Sequence, residues 1–528
     1  MKHLLLGDEA IAQGALDAGI SGIYAYPGTP STEIMEYIQK SDQAEKDDVH
    51  CKWSTNEKTA MEEALGMSYA GKRTIVCMKH VGLNVAADAF INAGMTGVNG
   101  GLIVVSADDP SMHSSQNEQD SRFYGKFAMV PVLEPSNQQE AYDMVRYGFD
   151  LSEKFQTPVL FRITTRLAHS RTGLELKAPR AQNPLKMPVD TQQFILLPAN
   201  ARKRYKRLIG LQNDFTRETE SNGNVNFTDG ADKSMGIIAC GLAYNYLMEN
   251  FNDAPCPYPI LKICQYPFSL KHIDFLVSTC KEILVLEEGY PYVEEQLKGI
   301  TKSSIKIKGR LSGEVPRDGE LNPNIVALSL GIETKSSFQV PEVVTMRPPA
   351  LCKGCSHIDL YNALMETTSS MPQYRVFSDI GCYTLGALPP YNAIHTCVDM
   401  GASITMAKGA ADAGVFPAIA VIGDSTFTHS GMTGLLDAVL EDTNITVIIS
   451  DNGTTGMTGG QTSAATNRLE QICKGLGVDE SHVRTIIPLK KNHEENMQVI
   501  HDEINHKGVS VIISQRECIQ TSARKHKK

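Results

Sequence analysis

No window of the 528-residue chain approaches the roughly 20 apolar residues that a helical membrane span requires. Positive charge is also in short supply. The 50 Lys and Arg stand against 60 Asp and Glu, and a net charge of -10 gives no reason to expect nucleic acid as a partner. The basic run at 201–207, ARKRYKR, therefore reads as a solvated helix face. The opening MKHLLLGDEA has too short an apolar core for a secretory signal, which points to the cytoplasm. Without that signal, 12 cysteines read as reduced thiols or metal ligands, not disulfides. There is no short-period repeat. What remains is a globular composition, 42% hydrophobic and 21% charged, with room for three or four domains.

The most informative stretch is VIGDSTFTHSGMTGLLDAVLEDTNITVIISDNGTTGMTGGQ, residues 421–461. An apolar run at 418–422 ends in Gly423-Asp424-Ser425. A helical pattern with Leu435, Leu436, Val439 and Leu440 follows, and a second β-branched run at 445–449 ends in Asp451-Asn452-Gly453-Thr454. That rhythm predicts two parallel strands joined by a crossover helix, with polar residues at the carboxyl ends where ligands of such sheets bind. The Asp424 carboxylate, the Asn452 amide oxygen and the Thr454 carbonyl suit Mg²⁺, which fills its octahedron with phosphate oxygens and water. Ser425, Thr426 and the glycine-rich 456–460 segment, with Gly456, Thr458 and Gly459, can donate N–H and hydroxyl groups to the same phosphates.

Residues 1–170 alternate strand and helix patterns, with strands expected at 20–26, 74–78, 102–107 and 158–163, which implies a parallel sheet. The first strand ends in Pro27-Gly28-Thr29-Pro30, and Ser31 or Thr32 can cap the next helix. Glu57 opens an alanine-rich helix, where the dipole alone would favour a carboxylate. His80 follows a strand end beside Lys79; it suits either a ligand- or proton-handling role or a structural bond to a backbone carbonyl. Asn84 is a weaker candidate, and His113 to Gln116 form a polar loop. Periodicity fades from 171 to about 232, then resumes with strands at 235–239, 260–263 and 282–287; Glu287-Glu288-Gly289 carries no evident chemistry.

The Gly-Asp-Ser with its partner Asn452 resembles the diphosphate motif of thiamine-diphosphate enzymes, and STNEKTAMEEALGMSYAG (54–71) resembles their glutamate helix. With YPGTPSTEI (26–34), MKHVGLNVAADAF (78–90) and SADDPSMHSSQNEQDSR (106–122), nearly the whole chain resembles the large subunits of indolepyruvate ferredoxin oxidoreductases, within the 2-oxoacid:ferredoxin oxidoreductases. The resemblance implies an α/β fold. Its parts would be a pyrimidine-binding domain at 1–170, a connection at 171–233, a smaller transketolase C-terminal-like domain at 234–335 and a diphosphate-binding domain at 336–528. It also implies that Glu57 holds the cofactor's aminopyrimidine in its imino form; Thr29 and Gly423 are candidate cofactor contacts and His80 a candidate catalytic residue.

The cysteines extend the likeness. Cys352-Lys353-Gly354-Cys355 alone is compatible with zinc, a redox pair or neither. In the family, a CxxC, a Gly-Cys turn and a late cysteine, here Cys352, Cys355, Cys382 and Cys518, hold one [4Fe-4S] cluster. Lys353 stands where the family often has proline, Cys397 is a possible substitute ligand or a buried free thiol, and the remaining cysteines read as core. Two CxxCxxCxxxCP sets of a ferredoxin-like domain, common in the family, are not in the sequence. The implied activity is oxidative decarboxylation of arylpyruvates to an acyl-coenzyme A and CO₂, with electrons passed to ferredoxin or a similar carrier. A smaller β subunit and a homodimer of heterodimers are implied with it. A non-oxidative decarboxylase and a silent cofactor-binding scaffold are the alternatives.

Overall fold

The computed structural model describes residues 2–252, 254–300, 304–334, 339–345, 349–371 and 373–525, so the expected domain start at 336 lies outside the described residues. The chain divides into two compact units, Met1–Phe338 and Gln339–Lys528.

The first unit is built on a seven-stranded sheet. Its order is Gln265–Tyr266, Val132–Leu133, Val159–Thr164, Leu102–Asp108, Thr74–Lys79, Gly22–Ala25 and His50–Trp53. All neighbours are parallel except the edge pair of Gln265–Tyr266 with Val132–Leu133. The long strands are apolar throughout because helices cover both faces: every residue of Leu102–Asp108 and Val159–Thr164 is buried. Each such Val, Leu or Ile contributes about 1.5–3 kcal/mol by leaving water. Three short strands, at 50–53, 132–133 and 265–266, escape periodicity because two to four residues are too few to show it.

A second sheet in this unit runs Lys306–Lys308, Glu282–Leu286, Gly236–Cys240, Ile260–Ile263 and Val225–Thr228, the last antiparallel. Two expectations change here. The sheet starts at Val225, inside the segment read as a connection, and Gln265–Tyr266 crosses over to complete the first sheet. The smaller domain is therefore stitched into the first one. The segment at 171–233 also holds a 24-residue helix, Pro198–Ser221, whose buried positions are Leu208, Phe215 and Thr219. In its basic run Arg202, Lys203, Tyr205 and Lys206 are exposed, whereas Arg204 and Arg207 are half-buried, Arg207 donating to the Phe155 carbonyl.

The seam between the two sheets is polar. Arg162 and Arg122 are completely buried. Arg162 donates to Asp108 (2.6 Å), to Glu134 and to the Glu288 carbonyl (3.1 Å). Arg122 grips Asp120 and donates to Glu287 (2.9 Å) and Tyr266 (3.2 Å). Glu287 and Glu288, silent in the sequence, are thus structural anchors.

The second unit has one fully parallel sheet ordered Arg375–Ser378, Ala418–Gly423, Ile445–Asp451, Val509–Gln515 and Val483–Ile486. Gly423 pairs with Ser450, so the strands at 418–423 and 445–451 end side by side. Between them, a turn at Asp424–Thr426 and a π-helical turn at Phe427–Gly431 lead into the helix Met432–Leu440. Only part of its leucine stripe is core: Leu435 is buried, whereas Leu436 and Leu440 are exposed.

Candidate functional site

The second unit brings the two strand ends together. Asp424 and Asn452 follow adjacent parallel strands at their carboxyl ends. The Thr454 N–H donates to the Asn452 side-chain oxygen at 3.1 Å, which fixes that amide. The hydroxyls of Ser425 and Thr455 are 3.0 Å apart, closing the two turns onto each other. Asp424 is buried, and its Oδ2 has no hydrogen-bond partner. Burial first, then the nearby Asp451 charge, push its carboxyl up to about 7 against the pull of Ser463. An orphaned buried carboxylate oxygen beside an amide oxygen is a donor set that a divalent cation satisfies. The residues fit Mg²⁺.

The expected phosphate donors are present with one change. Thr426 Oγ1 donates to the Ile380 carbonyl (3.2 Å), Thr458 Oγ1 to Gln461 (2.7 Å), and Ser425 is tied to Thr455. These hydroxyls are engaged locally, so the turn offers backbone N–H groups instead. Gly423 is a glycine for lack of room, since a Cβ there would meet Tyr383 at 2.6 Å. The 456–460 loop is held by Arg524, which donates to the Gly459 carbonyl (2.5 Å).

The four predicted cysteines gather at this end of the sheet. Cys518 N–H donates to the Asn452 carbonyl at 3.0 Å. Cys382 Sγ lies 3.4 Å from the position of a Cβ on Gly456. The Cys382 thiol is pushed up to about 12 by burial first, then by Cys355, Cys518, Cys352 and Asp424. Cys355, Cys518 and Cys352 are thus the thiols whose charge bears on Cys382. Cys397 is exposed and stands apart, its Sγ against the Asp379 carbonyl (3.8 Å), so it is neither a buried thiol nor a member of the quartet. Among the core cysteines, Cys77, Cys240, Cys264, Cys280 and Cys473 are buried, while Cys51 and Cys256 are half-buried.

Two supports were invisible in the sequence. Asp379 accepts from the Gly401 N–H (3.1 Å), the Ser403 N–H (3.2 Å), the Ser403 hydroxyl (2.6 Å) and Tyr383. It thereby anchors the turn that presents Cys382 to the start of the helix Ala402–Asp412. His357 is buried with its Nδ1 3.0 Å from Cys355 Sγ and its Nε2 without a hydrogen-bond partner; burial pulls the ring down to about 4, keeping it neutral.

In the first unit, Glu57 is the first residue of the helix Glu57–Tyr69 and is 5% exposed. A Cβ on Gly82 would fall 2.6 Å from Glu57 Oε1, so the carboxylate occupies a notch that only glycine leaves open. Lys79 lies close by: burial pulls its ammonium down while Asp109 and Glu57 push it back up. Its Nζ donates to the Ser114 carbonyl (3.0 Å). Asp109 organises the polar loop by accepting from Ser114 N–H (2.8 Å), Ser115 Oγ (2.6 Å) and Thr165 Oγ1 (2.8 Å). Thr29 joins the same loop, its carbonyl accepting from Ser114 Oγ at 3.3 Å.

His80 is buried with Nε2 3.1 Å from the Asn117 carbonyl, the arrangement of a structural histidine, although its Nδ1 has no hydrogen-bond partner. Asn84 accepts from Tyr124 (2.6 Å) and His113 faces Glu320 (3.2 Å).

A family model described as "Pyruvate flavodoxin/ferredoxin oxidoreductase, thiamine diP-bdg" matches residues 13–227, and "Thiamine pyrophosphate enzyme, C-terminal TPP binding domain" matches 379–513. A solved 2-oxoglutarate:ferredoxin oxidoreductase from Magnetococcus marinus has a TM-score of 0.48 at 18% identity, over 58% of this chain and 62% of that one. The indolepyruvate oxidoreductase subunit IorA of Archaeoglobus fulgidus is 38% identical over 98% of this chain and 86% of its own length. That of Methanothermobacter thermautotrophicus is 35% identical over 99% and 87%. With such identity sustained across nearly the full length, the chain belongs to the indolepyruvate oxidoreductase subunit IorA family.

Proposed function

We propose that this chain is the larger subunit of a thiamine-diphosphate-dependent oxidoreductase that decarboxylates arylpyruvates of the indolepyruvate type. The acyl group passes to coenzyme A and the electrons to ferredoxin or a similar carrier. The observation that carries this reading is the meeting of Asp424 and Asn452 at adjacent strand ends, with an Asp424 oxygen buried and unpartnered.

Thiamine diphosphate, when bound, supplies a nucleophilic carbon and an electron sink for the loss of CO₂. The chain's own residues do the holding. Asp424, the Asn452 amide oxygen and the Thr454 carbonyl would hold Mg²⁺, which would neutralise the diphosphate. Backbone N–H groups of Gly423, Ser425, Thr426, Gly456, Thr458 and Gly459 would donate to its oxygens, and Thr29 would line the pyrimidine side. Glu57, set in its notch on Gly82, holds a proton at the pyrimidine nitrogen from a largely apolar setting. Lys79 and His80 shape the substrate side of the same loop. The domain division that goes with this reading is a pyrimidine-binding and a smaller α/β domain in the first unit, and a diphosphate-binding domain in the second.

Cys352, Cys355, Cys382 and Cys518 would hold one [4Fe-4S] cluster, which accepts electrons singly. What supports it is the mutual reach of the four thiols around Cys382. A smaller partner subunit completes the enzyme, and two such pairs form the assembly.

The test uses the chain together with its smaller partner. Indolepyruvate- and coenzyme A-dependent reduction of a viologen dye is measured for wild type and Glu57→Gln. The variant is expected to lose about 10²–10⁴ of the rate while still binding thiamine diphosphate. Full activity in Glu57→Gln would overturn the reading. Iron is assayed on the same samples. Iron that survives Cys382→Ser would move the electron path to the partner, and aldehyde released without dye reduction would favour a non-oxidative decarboxylase.

A further inference from the structure

We infer that Asp8, Glu33 and His169 form a second divalent-cation site, of the zinc class, on residues apart from Asp424 and from the cysteine quartet. The three come from the first turns of the helices Gly7–Asp17 and Thr32–Gln39 and from the last residue of the helix Thr165–His169. One oxygen from each carboxylate and one imidazole nitrogen all lie within 4.8 Å of one another.

The independent observation is the state of Asp8. It is completely buried, and neither carboxylate oxygen has a hydrogen-bond partner. Such a group is costly unless something positive or a proton stands beside it. Glu33 Oε2 is also buried without a hydrogen bond, and His169 Nε2 is 3.6 Å from it. That separation is too long for a hydrogen bond and short enough to share a metal ion. Burial first, then the Glu33 charge, hold the Asp8 carboxyl well above the usual range.

Two carboxylate oxygens and an imidazole exclude calcium- or magnesium-type selectivity, which rests on oxygens alone, and match zinc with water in the remaining position. Glu33 and His169 side chains are 38% and 35% exposed, which leaves a way in for the ion. Glu33 follows the turn in which Gly28 N–H donates to Thr32 Oγ1 (3.1 Å) and Ser31 Oγ to the Gly28 carbonyl (2.8 Å). An ion here ties that turn, and with it Thr29, to the first helix and to the 165–169 helix.

The test is zinc content and melting temperature of the purified two-subunit complex, stripped with a chelating resin and then dialysed against Zn²⁺ with excess Mg²⁺. Wild type, Asp8→Asn and His169→Gln are compared. The wild type is expected to retain about one more zinc per chain than either variant, and only its melting temperature should rise on adding Zn²⁺. His169 is half-exposed, so His169→Gln probes the ligand without endangering the fold. Equal zinc in all three proteins would overturn the site. So would a wild type that ignores zinc and loses stability as pH rises, the behaviour of a proton shared by Asp8 and Glu33.

Discussion

At the residue scale, burial sets what the acidic groups do. Asp424→Asn removes a carboxyl held at about 7 by burial, so the cofactor-free protein should melt no lower than wild type. The same variant should lose Mg²⁺-dependent thiamine diphosphate binding in calorimetric titration. A stability loss with binding intact would contradict the assignment. Asp379 is held at about 6, raised by burial against the pull of Ser403 and Tyr383. A raised carboxyl makes the folded protein bind a proton that the unfolded chain has released, so its contribution weakens as pH rises from about 4 to 6 and is then constant. Two pH units correspond to about 3 kcal/mol. Asp379→Asn should flatten that slope in urea midpoints measured across the window. Asp424 was legible as a candidate ligand because a polar residue at a strand end stands out. Asp379 was not, because an anchor is defined by partners at 401 and 403 that no local pattern links to it.

At the element scale, the helices that carry the site are placed by small residues. Gly82 sits inside the helix His80–Thr96, where alanine would ordinarily add about 0.5–1 kcal/mol to stability. Here its Cβ would press on Glu57 Oε1 at 2.6 Å. Gly82→Ala should therefore leave the melting temperature nearly unchanged while cutting the dye-reduction rate at least tenfold; an unaffected rate would show that Glu57 does not depend on this notch. The expected strands at 74–78, 102–107, 418–422 and 445–449 all form, because central parallel strands must be apolar on both faces. The short edge strands escaped the pattern for the opposite reason. Their register is imposed by neighbours, not by their own alternation.

At the scale of the whole molecule, the first unit is a pair of sheets locked by buried charge. Arg162 has Asp108 and Glu134 as partners and also bonds the Glu288 carbonyl, just beyond the second sheet's strand Glu282–Leu286. Arg162→Met would leave those carboxylates uncompensated, at roughly 3–5 kcal/mol. The expected result is a lower urea midpoint for the first unit, followed through hydrogen exchange in the strands Leu102–Asp108 and Glu282–Leu286. Exchange unchanged in both would show the network to be dispensable.

By itself the sequence determined the parallel-sheet class, the long strands and the polar residues waiting at their ends, because hydrophobic period and strand-end chemistry are local properties. The candidate quartet of thiols came from the family resemblance, not from a local pattern. Only the tertiary structure decided that those thiols share one neighbourhood, that Cys397 stands outside it, and that Glu287 and Glu288 are anchors. It also joined the strand at 265–266 to the first sheet and set Asp8 against Glu33 and His169. Each of these is a meeting of residues far apart in the chain, and such a meeting is fixed by packing, which no local pattern encodes.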